Sequence, residues 1–221
     1  ESQPFTAARV PSPLPCPPRP SGEGSRPDLA IAYILQPSLF PLIVFKQVNL
    51  SVRYGNHIQS AFAYATYGLV MCGSTLEFDE GLKYGAISVR LLDKFKTAAV
   101  YTKIHYIHSN FIVHWRYHFR DTLDEMTDSY YKGLETGDFL FSSYAAFNIC
   151  TVEFYMGNPL PELKRLMDDY ASALRKIRQQ IGLGWLNIYR QTVSNLMNDE
   201  ADSRLAGTEF NEEMQVAEHE K

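Results

Sequence analysis

Leu163, Leu166, Met167, Tyr170, Leu174, Ile177 and Ile181 stand at offsets 0, 3, 4, 7, 11, 14 and 18, with Asp168, Asp169, Arg175, Lys176 and Arg178 between them. That spacing draws one apolar stripe down a long helix. Asn158 before Pro159, with Glu162 in the first turn, marks its predicted start, and Gly182 and Gly184 mark its predicted end. Phe119, Leu123, Met126, Tyr130 and Leu134 repeat the pattern and are followed by Gly137 as a stop. Phe78, Leu82, Ala86, Val89, Leu92 and Phe95 give it a third time.

Between these amphipathic segments lie more apolar ones: 61–71, 100–115 and 139–156. Small residues next to aromatics mark them as helices buried on more than one side. The order is buried, amphipathic, buried, amphipathic. Gly73, Trp115 and Gly157 then fall at equal steps of 42 residues. A period near 40 with two helices per unit is the pattern of an α-solenoid. Adding 39–54 in front and 183–197 behind predicts about eight helices, an all-α superhelix over residues 39–197.

One unit resembles a tetratricopeptide repeat: Gly68 in its first helix, then Phe78-Asp79-Glu80-Gly81-Leu82-Lys83-Tyr84 opening the second. Gly68, Gly81 and Gly85 would let neighbouring helices approach closely. The other units match less well, so the array is tetratricopeptide-like, with repeats longer than the standard one.

The ends differ from this body. Eight of the 12 prolines lie in the first 27 residues, which rules out a sustained helix or central strand there. Pro15-Cys16-Pro17-Pro18 could serve as a polyproline ligand, but the composition favours a disordered linker over residues 1–28. The net charge of -4 sits mostly in the last stretch, 198–221, with eight acids against two bases. That tail is expected to be solvated, as the cut continuation of a longer array. The body is close to neutral, without the clustered bases that nucleic-acid binding needs.

Three cysteines, Cys16, Cys72 and Cys150, are too widely spaced for a disulfide framework or a zinc knuckle. No run approaches the roughly 18 apolar residues of a membrane span, so a cytoplasmic segment with no membrane or nucleic-acid partner is expected. His105, His108, His114 and His118 gather in one stretch, and His114 with His118 could share a helical face at i, i+4. The zinc-protease glutamate is missing from HWRYH, so the favoured reading is histidines that cap a helix end or pack beside Trp115. Phe119-Arg120-Asp121 lacks the later asparagine of a kinase catalytic loop, and Asp121 is expected to cap the next helix. Phosphate loops, dinucleotide fingerprints and nucleophile elbows are absent from the sequence. No catalytic, cofactor-binding or metal residue is assigned. Tyr67, Tyr106 and Tyr144, on the buried helices, are the candidate interaction residues.

Several strings, taken together, are similar to a known family: PLIVFKQVNLSVRYGN (41–56), SAFAYATYGLVMCG (60–73), HSNFIVHWRYH (108–118), YKGLETGDFLFSSYAAFNIC (131–150) and LNIYRQTVSNLM (186–197). They resemble the helical region that follows the AAA-type ATPase module in very large hybrid serine/threonine kinase and sensor histidine kinase proteins, frequent in cyanobacteria. The resemblance implies a non-catalytic helical-repeat region in two-component signalling, contacting other domains of the same polypeptide or a signalling protein. ATP and magnesium would belong only to the parent's other modules. The alternative is the effector-sensing array of an ATPase-type transcriptional regulator.

Overall fold

The computed structural model describes residues 36–95, 98, 100–198 and 204–219. Among them the fold is all-α; the only extended pairing is an isolated antiparallel bridge between Ala206 and Asn211. The helices are α1 (Phe40–Tyr54), α2 (Ile58–Val70), α3 (Phe78–Phe95), α4 (Tyr101–Phe111), α5 (Leu123–Thr136), α6 (Phe139–Tyr155), α7 (Leu160–Lys176), α8 (Gln180–Met197) and α9 (Glu212–His219). A π-turn, Met71–Thr75, extends α2, and two 3-10 turns, Val113–Trp115 and Phe119–Thr122, join α4 to α5. The proline-rich segment 1–28 lies outside the described residues.

Local chemistry sets most of the boundaries. Pro41 opens α1, where its missing N–H costs nothing. At the start of α2, the Gln59 N–H donates to His57 Nδ1 at 3.4 Å and the His57 N–H donates to Ser60 Oγ at 3.0 Å, a reciprocal cap. Asp79 and Glu80 occupy the first turn of α3, facing the positive end of its dipole. Gly137, with φ of 80°, ends α5 in the left-handed conformation.

The helices stack in two rows. In the first row α2 packs on α4, α4 on α6 and α6 on α8. In the second, α3 packs between α2 and α4, α5 between α4 and α6, and α7 between α6 and α8, while α1 covers α2. This is the solenoid-like arrangement predicted by the alternation of buried and amphipathic segments, because each first-row helix has neighbours on several sides. One core runs through the rows, from Ala61 and Leu91 through Ile104, Met126 and Ala146 to Met167 and Leu186. Phe40, Val44 and Val70 form a smaller cluster under α1.

Small residues let the rows close. A Cβ on Gly68 would come within 2.9 Å of the Gly81 carbonyl oxygen and 2.7 Å of Ile112 Cδ1, so α2 and α3 meet nearly backbone to backbone, with the Ile112 side chain from just past α4 packed against them.

Four boundaries differ from expectation. The stripe from Leu163 to Ile181 is not one helix: α7 stops at Lys176, Arg178 turns the chain with φ of 58°, and Ile181 is exposed. Gly182 and Gly184 lie inside α8, and the missing side chain of Gly182 admits Ser143 of α6 rather than a stop. The apolar segment 100–115 breaks at Phe111, where Ile112 is fully buried and the backbone tightens into a 3-10 turn. Asn158 does not cap α7: Pro159 holds the cap position, and the Asn158 amide donates to Glu153.

Candidate functional site

An aromatic tract runs along the first row from α4 to α8. On α6, Phe141, Tyr144, Phe147 and Phe154 recur at three- and seven-residue steps, which keeps them on one stripe. On α8, Trp185 and Tyr189 are one turn apart. Tyr106 of α4 lies 5.8 Å from Tyr144, ring centre to ring centre, and Phe141 lies 5.7 Å from each of them. Trp185 stacks on Tyr144 at 5.2 Å and 22°, and Phe147 sits 5.6 Å from both Trp185 and Tyr189. The Tyr155 and Tyr189 hydroxyls meet at 3.2 Å.

Such pairs each contribute about 0.5–1.5 kcal/mol beyond their burial, so the tract helps hold the row together. It also reaches the surface, since Trp185 is 42% and Tyr155 67% exposed. Asn148 lies within it, its amide donating to Tyr106 Oη at 3.0 Å and to the Tyr144 carbonyl at 2.9 Å. Burial, and then the neighbouring Tyr155 hydroxyl, push the Tyr189 phenol up to about 12. Burial likewise raises Tyr144. These hydroxyls therefore stay neutral near pH 7, able to donate and accept hydrogen bonds beside exposed aromatic faces.

Of the three tyrosines singled out in the sequence, the structure joins two. Tyr106 is buried and Tyr144 half-buried at the centre of the tract. Tyr67 stands apart, 5.6 Å from Phe45 of α1 and 4.4 Å from Tyr84 of α3. Burial, then Tyr84 and Glu80, raise its phenol. Tyr155 belongs to the dense aromatics that the sequence offers as groove lining or helix-to-helix core, whereas Trp185 and Tyr189 were not singled out. The four-residue step from Trp185 to Tyr189 was the available signal, but nothing local says that α8 packs on α6.

The histidines also sort differently from their spacing. His114 and His118 share no helical face, because α4 has already ended. His114 stacks on Phe119 at 5.4 Å and packs on Trp115 at 5.1 Å; burial lowers its imidazole, partly opposed by the Asn110 backbone. His118 Nδ1 accepts the Arg120 N–H at 3.1 Å and caps the second 3-10 turn. Asp121 lies within that turn, and Thr122, not Asp121, holds the α5 cap position. His105 and His108, one turn apart on α4, converge on Glu125 of α5, with Nδ1 at 2.6 Å and 2.9 Å from Oε1. Burial would raise the Glu125 carboxyl, but hydrogen bonds from both imidazoles and their charge outweigh it and hold the group at about 2. Among the described residues no group of three or more His, Cys, Asp or Glu is placed to hold a metal ion. Burial pushes the Cys72 thiol up to about 11, and raises Cys150 further, so neither is set up as a nucleophile.

No family model matches the chain, and no solved structure matches it. Over 157 residues, 67% of the chain, it is 23% identical to hybrid signal transduction histidine kinase G of Dictyostelium discoideum. The aligned stretch is 5% of that protein, so the chain spans about a twentieth of its relative. The similarity is distant, and it supports a signal-transduction kinase context. Among the described residues no helix is long and apolar enough to cross a membrane.

Proposed function

We propose that this chain is a non-catalytic, tetratricopeptide-like helical-repeat region of a larger cytoplasmic signalling protein with histidine-kinase activity. By the resemblance of its strings, that protein also carries serine/threonine-kinase and ATPase modules, and ATP and magnesium serve those modules. The region docks another domain of the same polypeptide, or a separate signalling protein, and passes on its conformation. The observation that carries this reading is the aromatic tract, continuous over α4, α6 and α8 and half-open at Trp185 and Tyr155. Exposed aromatics backed by a rigid row are the residues that most often anchor protein contacts. The distant similarity to a hybrid histidine kinase supports the signalling context.

Photo-cross-linking in the intact parent protein tests the reading. A cross-linkable residue at Trp185 or Tyr155 is expected to capture a second domain or a signalling partner. The same residue at Tyr131 of α5, also exposed but off the tract, is the control. Equal capture from all three positions would remove the docking surface. The coding sequence on either side tests the context: kinase modules support it, and a downstream helix-turn-helix would assign the array to a transcriptional regulator instead.

A further inference from the structure

A second site lies at the α7–α8 junction, on residues separate from the aromatic tract. Arg190 of α8 is 4% exposed. Its Nε and Nη2 donate to Asp168 Oδ1 of α7 at 2.9 and 2.5 Å, and its Nη1 donates to Asn187 Oδ1 at 2.8 Å. Lys164, one turn before Asp168, reaches the same Asp168 oxygen at 2.7 Å. Two cations thus share one resident carboxylate, which leaves one positive charge to be met. Glu209 meets it, with Oε2 2.5 Å from Arg190 Nη1 and Oε1 3.3 Å from Lys164 Nζ.

Glu209 arrives on a short turn that is held lightly elsewhere. The Ala206–Asn211 bridge closes the turn. The Glu209 N–H donates to Gln191 Oε1 at 3.2 Å, and the Asn195 amide donates to the Arg204 carbonyl at 3.0 Å. Gly207 lies over the Gln191 amide, where a Cβ would come within 2.3 Å. None of residues 204–211 is fully buried: Arg204, Ala206, Gly207 and Thr208 are exposed, and Leu205, Glu209, Phe210 and Asn211 are half-buried. An element with few buried apolar contacts opens at low free-energy cost. When the turn lifts, the nearly fully buried guanidinium keeps Asp168, but two cations are then left with one carboxylate, an imbalance that favours a replacement anion.

We propose that Arg190 and Lys164 form a carboxylate-recognition site, filled in cis by Glu209, that takes an acidic peptide segment of a partner in trans when the 204–211 turn lifts away. The turn is thus a built-in competitor: it occupies the site with the same chemistry that a partner would offer. Asp168 and Asn187 are positioning residues, orienting the guanidinium so that Nη1 faces the incoming carboxylate.

The full chain carrying Glu209→Gln tests this, with a fluorescent peptide of residues 204–214 as the probe. In the variant, hydrogen exchange of amides 205–212 is expected to rise at least tenfold while α6 and α7 keep their protection. The peptide is expected to bind the variant at least tenfold more tightly than the unsubstituted chain. Lys164→Met added to the variant should weaken that binding, and the same peptide with Glu209→Gln should not bind. Three results would each overturn the proposal: unchanged exchange in the turn, equal peptide affinity for both chains, or an equal loss of protection in α6 and α7, which would make the turn an integral part of the fold.

Discussion

Gly81 of α3 faces Cys72 so closely that a Cβ on the glycine would stand 2.2 Å from the cysteine sulfur. Neither group has room to yield, since Cys72 is fully buried and the Gly68 carbonyl lies 3.1 Å from the same point. Two effects of Gly81→Ala oppose each other. Alanine gains about 1 kcal/mol of helix propensity over glycine, whereas overpacking a closed contact costs about 1–3 kcal/mol. The contact should win, and urea unfolding should show net destabilisation. Removing the sulfur with Cys72→Ala in the same chain should recover part of the loss. Additive losses in the double variant would mean that the two residues do not meet.

Gly182 and Gly184 allow the same comparison within one helix. A Cβ on Gly182 would lie 2.8 Å from Ser143 Cβ and 3.0 Å from its carbonyl oxygen, while Gly184 faces open space. Gly184→Ala is therefore expected to stabilise by about 0.5–1 kcal/mol through propensity alone. Gly182→Ala is expected to destabilise by about 1–3 kcal/mol, because α6 and α8 must separate. Thermal melts of the two variants should move in opposite directions.

This pair of glycines also shows how far the fold is legible in the chain. Helical periodicity places α3 at its observed bounds, Phe78–Phe95, because its stripe is clean and acids mark its first turn. The same rule overruns α7, because glycine serves two physical purposes and sequence does not say which. At Gly137 it provides a left-handed backbone, and at Gly182 a missing side chain. Arg178 makes the real turn with positive φ, which no arginine advertises. The site is harder still. His114 and His118 look paired only while the helix is assumed to continue, whereas the pair that does converge, His105 and His108, needs Glu125 from the next helix. Arg190 and Glu209 are 19 positions apart with no local signal between them, so their contact emerges only from packing.

The loop between α4 and α5 sets an aromatic stack against an ion pair. Trp115 stacks on Phe78 at 4.6 Å and 24°, and next to it Arg116 pairs with Asp79. Both members of the ion pair are well exposed, so water and salt screen it. Arg116→Ala should change stability by no more than about 0.5 kcal/mol. Trp115→Ala gives up the stack and the apolar cover over Phe78, and should cost about 1–2 kcal/mol. Urea midpoints at low and high salt separate the two: the small Arg116 effect should vanish at high salt, and the Trp115 effect should persist.

Glu125 sets the acid limit of the α4–α5 contact. Burial acts to raise its carboxyl, but the two imidazole hydrogen bonds and their charge prevail, and the folded value falls from 4.5 to about 2. A depressed folded value means that the unfolded chain takes up the proton first. The stabilisation is therefore complete above about pH 4.5 and is lost as pH falls through that value toward 2. With the carboxylate largely buried, its size is on the order of 2 kcal/mol. Glu125→Gln keeps the shape and removes the titration. Urea midpoints measured from pH 6 down to pH 2 should fall less steeply in the variant, with the two curves converging at the acid end. Parallel curves across that range would show that the histidines do not hold the carboxylate in its charged form.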